Sequence, residues 1–320
     1  MKAAVVRELG ELDDITVAEV DDPVAGPGQV VIDVAACGVN FPDVLMVRGQ
    51  YQERPPLPFT PGLEVCGTVL DGPRAGERVI GGPPLPAGGL AELALLDEKG
   101  AFPVPASMPA AKAAGLLITY QTGYVGLHRR CALREGEWLL VHAGAGGVGT
   151  AAIQLGKAAG ARVIATAGGP QKVKVCQDMG ADHVIDYASE DFVAAVKDLT
   201  GGHGADVIYD SVGGDITDAS RKAIAFEGRL LIVGFAGGRI ADVPANHALV
   251  KNYSVVGLHW GLYRHKDPAV IASTHAALVD LWERGLIDPL VGAELPLTDA
   301  PAALARLGDR GTVGKVVLTP

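Results

Sequence analysis

Residues 143–149 read A-G-A-G-G-V-G. Gly144, Gly146 and Gly149 fall in the spacing G-x-G-x-x-G, and Ala143, Gly146 and Gly149 in the spacing A-x-x-G-x-x-G. Each small residue has a separate task in a phosphate-binding turn. Gly144 permits a tight turn out of a strand, Gly146 lets backbone come close to a pyrophosphate, and Gly149 lets the next helix lie close on the strand. The helix start, at Gly147 and Val148, then offers unpaired N–H groups to an anion. A glycine-rich turn alone is a weak signal, so the flanks decide. Before it, Glu137–His142 (EWLLVH) is a continuous apolar run of strand length, and after it Val148, Ala152, Leu155 and Ala159 recur with a helical period. A dinucleotide is the expected ligand.

The next strand indicates which dinucleotide. NAD sites place an Asp or Glu at the end of the second strand to bind the ribose 2′-hydroxyl. Here Arg162–Thr166 (RVIAT) is followed by Ala167, Gly168 and Gly169, and no acid occurs until Asp178. Lys172 comes early in the following helix, where an ammonium can meet a 2′-phosphate. A lysine alone would be an ordinary solvated side chain. A lysine with no nearby acid favours NADPH.

These residues need a scaffold, and the patterning describes an α/β protein. From Glu137, apolar strand-length runs at Arg162–Thr166, His183–Asp186, Ala205–Tyr209, Gly228–Val233 and Ser254–Leu258 alternate with helical segments. Such alternation predicts a parallel sheet with helices on both faces, its six strands forming two mononucleotide-binding halves. The preceding residues differ. Lys2–Val6, Thr16–Val20, Gln29–Ala36, Val65–Leu70, Glu77–Ile80 and Ala91–Leu95 read as strands between Pro/Gly turns, with no helical period before about Ala110. They predict an antiparallel barrel or sandwich. A helix over 269–284 and a strand over 314–318 close the chain and are expected to return to this first domain.

Composition excludes other classes. The 320 residues carry a net charge of −10 with no basic block, which argues against nucleic acid or an anionic membrane as partner. No apolar run reaches membrane-spanning length, and the N-terminus lacks a signal-peptide core. Cys37, Cys66, Cys131 and Cys176 form no C-x-x-C pair, and the histidines show no ligand spacing. Reduced thiols and a cytoplasmic location are expected.

With G-V-N-F-P-D (38–43), R-G-Q-Y (48–51), P-G-L-E-V-C-G-T-V (61–69), V-H-A-G-A-G-G-V-G (141–149), G-A-D-H-V-I-D-Y (180–187), Y-D-S-V-G-G (209–214) and G-K-V-V-L (314–318), the chain resembles the quinone oxidoreductase branch of the medium-chain dehydrogenase/reductase superfamily. The resemblance covers nearly the whole sequence. It implies a GroES-like, β-rich catalytic domain over 1–120, completed by about 259–320, and a Rossmann NADPH-binding domain over 121–258. It further implies that Gly168, Lys172, Tyr187 and Arg310 surround the 2′-phosphate. Asn40 and Tyr51 would sit beside the nicotinamide as hydrogen-bond donors, with Asp43 orienting their loop or capping a helix. A homodimer is implied too, and Ser254–Leu258 at a sheet edge could serve as its seam.

Zinc-dependent relatives carry Cys and His where this chain has Asn40 and Leu63, neither of which can act as thiolate or imidazole ligand. Hydride transfer to a quinone or another α,β-unsaturated carbonyl compound is therefore the expected chemistry. Reduction of an enoyl thioester, and a non-enzymatic NADPH-binding role of the crystallin-like or regulatory kind, are the alternatives. Leu45 stands where some quinone reductases have a tyrosine, which makes that side of the pocket more apolar.

Overall fold

The computed structural model describes residues 1–309 and 311–320. It comprises two units, Met1–Ile118 with Pro289–Pro320 and Thr119–Asp288. The first unit opens with the antiparallel pair β1 (Lys2–Val5) and β2 (Thr16–Glu19). β3 (Gln29–Val39) pairs antiparallel with both β4 (Val65–Val69) and β6 (Leu93–Asp97), while β5 (Arg78–Gly81) and β7 (Phe102–Pro103) continue outward from β4. Alternate residues of these strands, including Ile32, Val34, Val65, Val79 and Leu96, meet in one apolar core.

Between β3 and β4 lies a helix that the patterning does not reveal, α1 (Phe41–Val47). Its sequence FPDVLMV buries Asp43, Val44, Met46 and Val47, so no polar face exists to mark a helical period. A capping box does mark it. Asn40 is the N-cap, Asp43 is the third helical residue, and a proline stands in the first turn.

The chain then passes through α2 (Ala110–Ala113) and α3 (Gln121–Tyr124), the latter flanked by π-helical turns. The second unit follows as β8 (Trp138–Val141), α4 (Gly147–Ala158), β9 (Arg162–Ala167), α5 (Pro170–Asp178), β10 (His183–Asp186), α6 (Phe192–Leu199), β11 (Ala205–Asp210), α7 (Gly214–Ala223), β12 (Ile224–Ile232), α8 (Ala245–Lys251) and β13 (Ser254–Gly257). All pairings are parallel and the order is β10-β9-β8-β11-β12-β13. This is the doubly wound arrangement, with β8 and β11 flanking the point where strand order reverses and ligands bind. Leu140, Ile164, Ile185, Ile208 and Leu230 pack one sheet face against Phe192 and Val196 of α6 and Ala223 of α7.

The return to the first unit comes later than the expected position of about 259. α9 (Tyr263–Lys266) and α10 (Pro268–Glu283) stay with the second unit, where α10 packs on α3 and buries Val270, Ile271 and Leu278. Gln154 on α4 then grips the departing chain. Its Nε2 donates to the Asp288 carbonyl at 2.9 Å, and its Oε1 accepts from the Asp288 amide at 2.7 Å and from the Tyr120 hydroxyl at 2.9 Å. Only from Pro289 does the chain belong to the first unit, as β14 (Val291–Pro296), α11 (Ala300–Gly308) and β15 (Lys315–Thr319). β15 lies between β14 and β3, parallel to the first and antiparallel to the second. No helix among the described residues is long and apolar enough to cross a membrane.

Candidate active site

The glycine-rich turn begins where β8 ends. Ala143 takes a positive φ of 50°, and the Gly144 amide donates to the Thr166 carbonyl at 2.9 Å, tying the turn to β9. Gly146 caps α4 and accepts from the Thr150 amide at 2.8 Å. Two of the three glycines are required by packing. A Cβ on Gly144 would lie 2.8 Å from Cys176 Sγ, and one on Gly149 would lie 2.2 Å from the Ala143 carbonyl oxygen. At Gly146 a Cβ would meet only that same oxygen, at 3.4 Å, so its outer side is open. Gly146, Gly147 and Val148 are partly exposed. The amides of Gly147, Val148 and Gly149 belong to the first turn of α4 and have no acceptor within the helix. The turn is thus rigid underneath and presents donors outward, as an anion site requires.

The ends of β9 and β10 form a second group. Gly168 must be glycine, since a Cβ there would lie 2.7 Å from the Tyr187 hydroxyl and 2.8 Å from its Cζ. The Tyr187 ring therefore lies across the Gly168 backbone, with about half its surface exposed (52%). Gly169, at φ 83°, caps α5, which places Lys172 in that helix's first turn. Gly168 and Tyr187 are thus in contact, and Lys172 follows in the first turn of the helix that Gly169 caps. Arg310 lies outside the described residues. One residue of this group escapes a reading along the chain. Asp186, the last residue of β10, pairs in register with Ala167 and brings a carboxylate to the acid-free end of β9. Its Oδ1 accepts from the amides of Gly169 and Ala188, each at 3.0 Å.

In the first unit, Asn40 and Asp43 meet at the start of α1. The Asp43 carboxylate accepts from the Asn40 amide at 2.8 Å and the Gly62 amide at 3.0 Å, so its role as a cap is plain. It is fully buried, and burial pushes its pKa up to about 7 against the pull of those two donors. The Asn40 side chain faces inward. Its Nδ2 donates to the Gly38 carbonyl at 3.1 Å and to Glu64 Oε1 at 2.9 Å, and its Oδ1 accepts from Lys315 Nζ at 2.8 Å. Both amide hydrogens are used within the protein, so the expectation that Asn40 offers an N–H to substrate needs correcting. The competitor is a buried carboxylate, which binds that N–H more strongly than a neutral acceptor does.

Glu64 and Lys315 were not singled out in the sequence. They form a buried ion pair at 2.6 Å, with Lys315 also donating to the Val39 carbonyl at 2.9 Å and Glu64 Oε2 accepting from the Ile118 amide at 2.8 Å. A lone charge inside each of two apolar runs, P-G-L-E-V-C-G and G-K-V-V-L, is the signal that could have found them. Opposite charges buried singly must meet. Tyr51 is different. It packs partly buried against the first unit's core, and its hydroxyl makes no hydrogen bond among the described residues. Burial, helped by the carboxylates of Glu53 and Asp43, pushes that phenol up to about 12, so it keeps its proton at neutral pH. Leu63 packs on the same core.

His142 is the one histidine adjoining the phosphate turn. Nδ1 faces Thr166 Oγ1 at 3.0 Å and Nε2 faces Ser220 Oγ at 2.8 Å, and burial lowers its pKa to about 4. It is a neutral core residue. Asp210, at the end of β11, is likewise occupied, accepting from the amides of Val212 and Gly213 and from Thr217 Oγ1. All four cysteines are free and buried.

Comparison with known proteins agrees with this anatomy. The alcohol dehydrogenase GroES-like domain family matches residues 26–106, and the zinc-binding dehydrogenase family matches residues 147–275. Quinone oxidoreductase-like protein 2 of Rattus norvegicus is 39% identical over 325 aligned positions, covering 99% of this chain and 92% of that protein. A mycobacterial protein solved in complex with NADPH superposes with a TM-score of 0.92 at 33% identity, over 100% of both chains. Escherichia coli quinone oxidoreductase complexed with NADPH superposes with a TM-score of 0.91 at 28% identity, again over 100% of both. By sequence along its whole length, and by fold in both units, the chain belongs to the quinone oxidoreductase-like branch of the medium-chain dehydrogenase/reductase superfamily.

Proposed function

We propose that this protein is an NADPH-dependent oxidoreductase that reduces a quinone or another α,β-unsaturated carbonyl compound and needs no zinc to do so. The observation that carries the reading is the pair of anion-receiving surfaces on the second unit. One is the rigid Ala143–Gly149 turn with the first-turn amides of α4, and the other is the platform of Gly168, Tyr187 and Lys172. A dinucleotide with a pyrophosphate and a 2′-phosphate fits such a pair, and the mycobacterial and Escherichia coli neighbours both hold NADPH. Gly144, Gly146, Gly147, Val148 and Gly149 would hold the pyrophosphate. Gly168, Lys172 and Tyr187 would hold the 2′-phosphate, with Arg310 joining them by analogy.

When bound, NADPH supplies a hydride. The chain's own contribution on the substrate side is Tyr51, a protonated phenol whose donor is not spent on the protein. Asn40, Glu64, Lys315 and Asp43 form a buried hydrogen-bonded frame in the same unit. Asn40 and Leu63 offer neither thiolate nor imidazole, so the Lewis acid that polarises a plain ketone lacks its usual ligands at those positions. A conjugated acceptor needs less help because its charge is delocalised, and one preorganised donor contributes roughly 2–4 kcal/mol. The same reading includes a homodimer paired along the outer edge of β13, where Val255 is 43% exposed and nearby Phe226 on β12 is 68% exposed.

A panel of quinones, enones and simple alcohols, assayed by NADPH absorbance with a chelator present, tests this reading. Quinones or enones should be turned over fastest. Tyr51→Phe should lower enone reduction by roughly 10²–10⁴-fold and quinone reduction by less, since hydroquinone oxygens can take protons from water. Faster oxidation of simple alcohols, or activity abolished by the chelator, would overturn it.

A further inference from the structure

We infer that Asp186 is a positioning residue that sets the preference for the 2′-phosphorylated cofactor. This rests on the proposed NADPH site and names a residue on which that site depends. The sequence around the end of β9 contains no acid, yet the register Asp186↔Ala167 brings one there from the neighbouring strand. Its charge opposes a 2′-phosphate, but its Oδ1 is committed to the protein, accepting two amides at once, from Gly169 and from Ala188.

The two amides belong to the two loops that form the platform. Gly169 is the N-cap of α5, so holding its amide fixes the start of the helix whose first turn carries Lys172. Ala188 follows Tyr187, whose ring covers Gly168, and the Tyr187 amide itself donates to the Ala167 carbonyl at 3.1 Å. One carboxylate oxygen therefore ties the glycine turn, the α5 N-terminus and the tyrosine into a single surface. Gly169 needs this tie more than most residues would. At φ 83° it has no side chain to pack and no atom within 4 Å of the place where its Cβ would be, so besides its carbonyl, which accepts from the Val173 amide at 3.1 Å, the amide tie to Asp186 is what fixes it. Asp186 in turn is oriented by its own amide donating to Glu190 Oε1 at 3.0 Å.

What Asp186 supplies is an acceptor, and its charge opposes the ligand. Asp186→Ala removes the acceptor, while Asp186→Asn keeps Oδ1 and removes the charge. We expect Asp186→Ala to weaken NADPH binding by about tenfold or more, the loss of one hydrogen-bonded tie, and to change NADH binding by less than about threefold. Asp186→Asn should keep or improve NADPH affinity. Fluorescence titration of wild type and both variants with NADPH and NADH, and calorimetry with adenosine 2′,5′-bisphosphate and 5′-AMP, give the ratio directly. A merely structural residue would lower both cofactors together and would not be rescued by Asn, and either result overturns the inference. So does an Asp186→Ala protein that keeps the wild-type ratio. If wild type itself shows no preference for NADPH, it is the underlying 2′-phosphate reading that fails.

Discussion

The buried cap at Asp43 allows a measurement in which two forces predict different pH dependences. Two backbone amides, of Asn40 and Gly62, favour the charged carboxylate, while complete burial favours the neutral acid. Burial is the larger effect, and the pKa rises from 3.8 to about 7, with the Lys315 ammonium pulling down and the Glu64 carboxylate pushing up more weakly. An acid whose folded pKa lies above its unfolded value keeps its proton longer in the fold. Between those two values the folded chain therefore binds more protons than the unfolded one. Stability must then fall as pH rises through that window, by up to about 1.4 kcal/mol per pH unit, and level off above it. From about pH 5 to about pH 8 the loss is roughly 3 kcal/mol.

Asp43→Asn cannot titrate. It gives up one of the two caps, which is a constant offset at every pH. The difference between the wild-type and Asp43→Asn unfolding free energies isolates Asp43. Urea unfolding of both proteins across that range, with reversibility checked, should show wild type losing roughly 3 kcal/mol relative to the variant. If the amide caps prevailed instead, the folded pKa would lie below 3.8 and the difference would be flat or would favour wild type as pH rises. Either of those results refutes the argument that burial governs this site.

Other outcomes follow from the same structure. Lys315→Met leaves the Glu64 carboxylate buried without its cation and should cost about 3–5 kcal/mol, of which the double variant Glu64→Gln/Lys315→Met should recover a large part in urea unfolding. Lys172→Ala should weaken NADPH binding by about 1–3 kcal/mol and leave NADH nearly unchanged in fluorescence titration. Light scattering at micromolar concentration should return a dimer mass, and a charged residue at Val255, on the outer strand of the second unit's sheet, should shift it toward monomer.

Strong local signals made the second unit's fold readable from the sequence. Six apolar strands alternate with helices, and a glycine turn stands at the first crossover, so strand identity and phosphate loop could both be placed. The short helix α1 was missed because it is apolar on nearly every side, which erases the period that reveals a helix at a surface. The late return at Pro289 was missed because a soluble helix such as α10 has no sequence mark saying which unit it covers. At the site, residue types were legible and their partners were not. Asn40 reads as a donor in the sequence, but its hydrogens belong to Gly38 and Glu64. Asp186 stands far along the chain from the end of β9 and reaches it only through strand pairing, so a search for acids along the chain passes it by.

The interleaved course of the chain also sets an order of assembly during synthesis. Glu64 and Lys315 are 251 residues apart, and the whole second unit lies between them. As the chain leaves the ribosome, the second unit has all its strands before β15 exists and can close its own core. The first unit cannot. Until β15 emerges, one side of β3 has no neighbour over Cys37–Val39 and the Glu64 carboxylate has no cation. The nascent N-terminal region therefore waits, with an open strand edge and an uncompensated charge, for β15 to be made. A lone carboxylate is costly to bury, so closing that region around Glu64 is unfavourable until Lys315 is there to meet it.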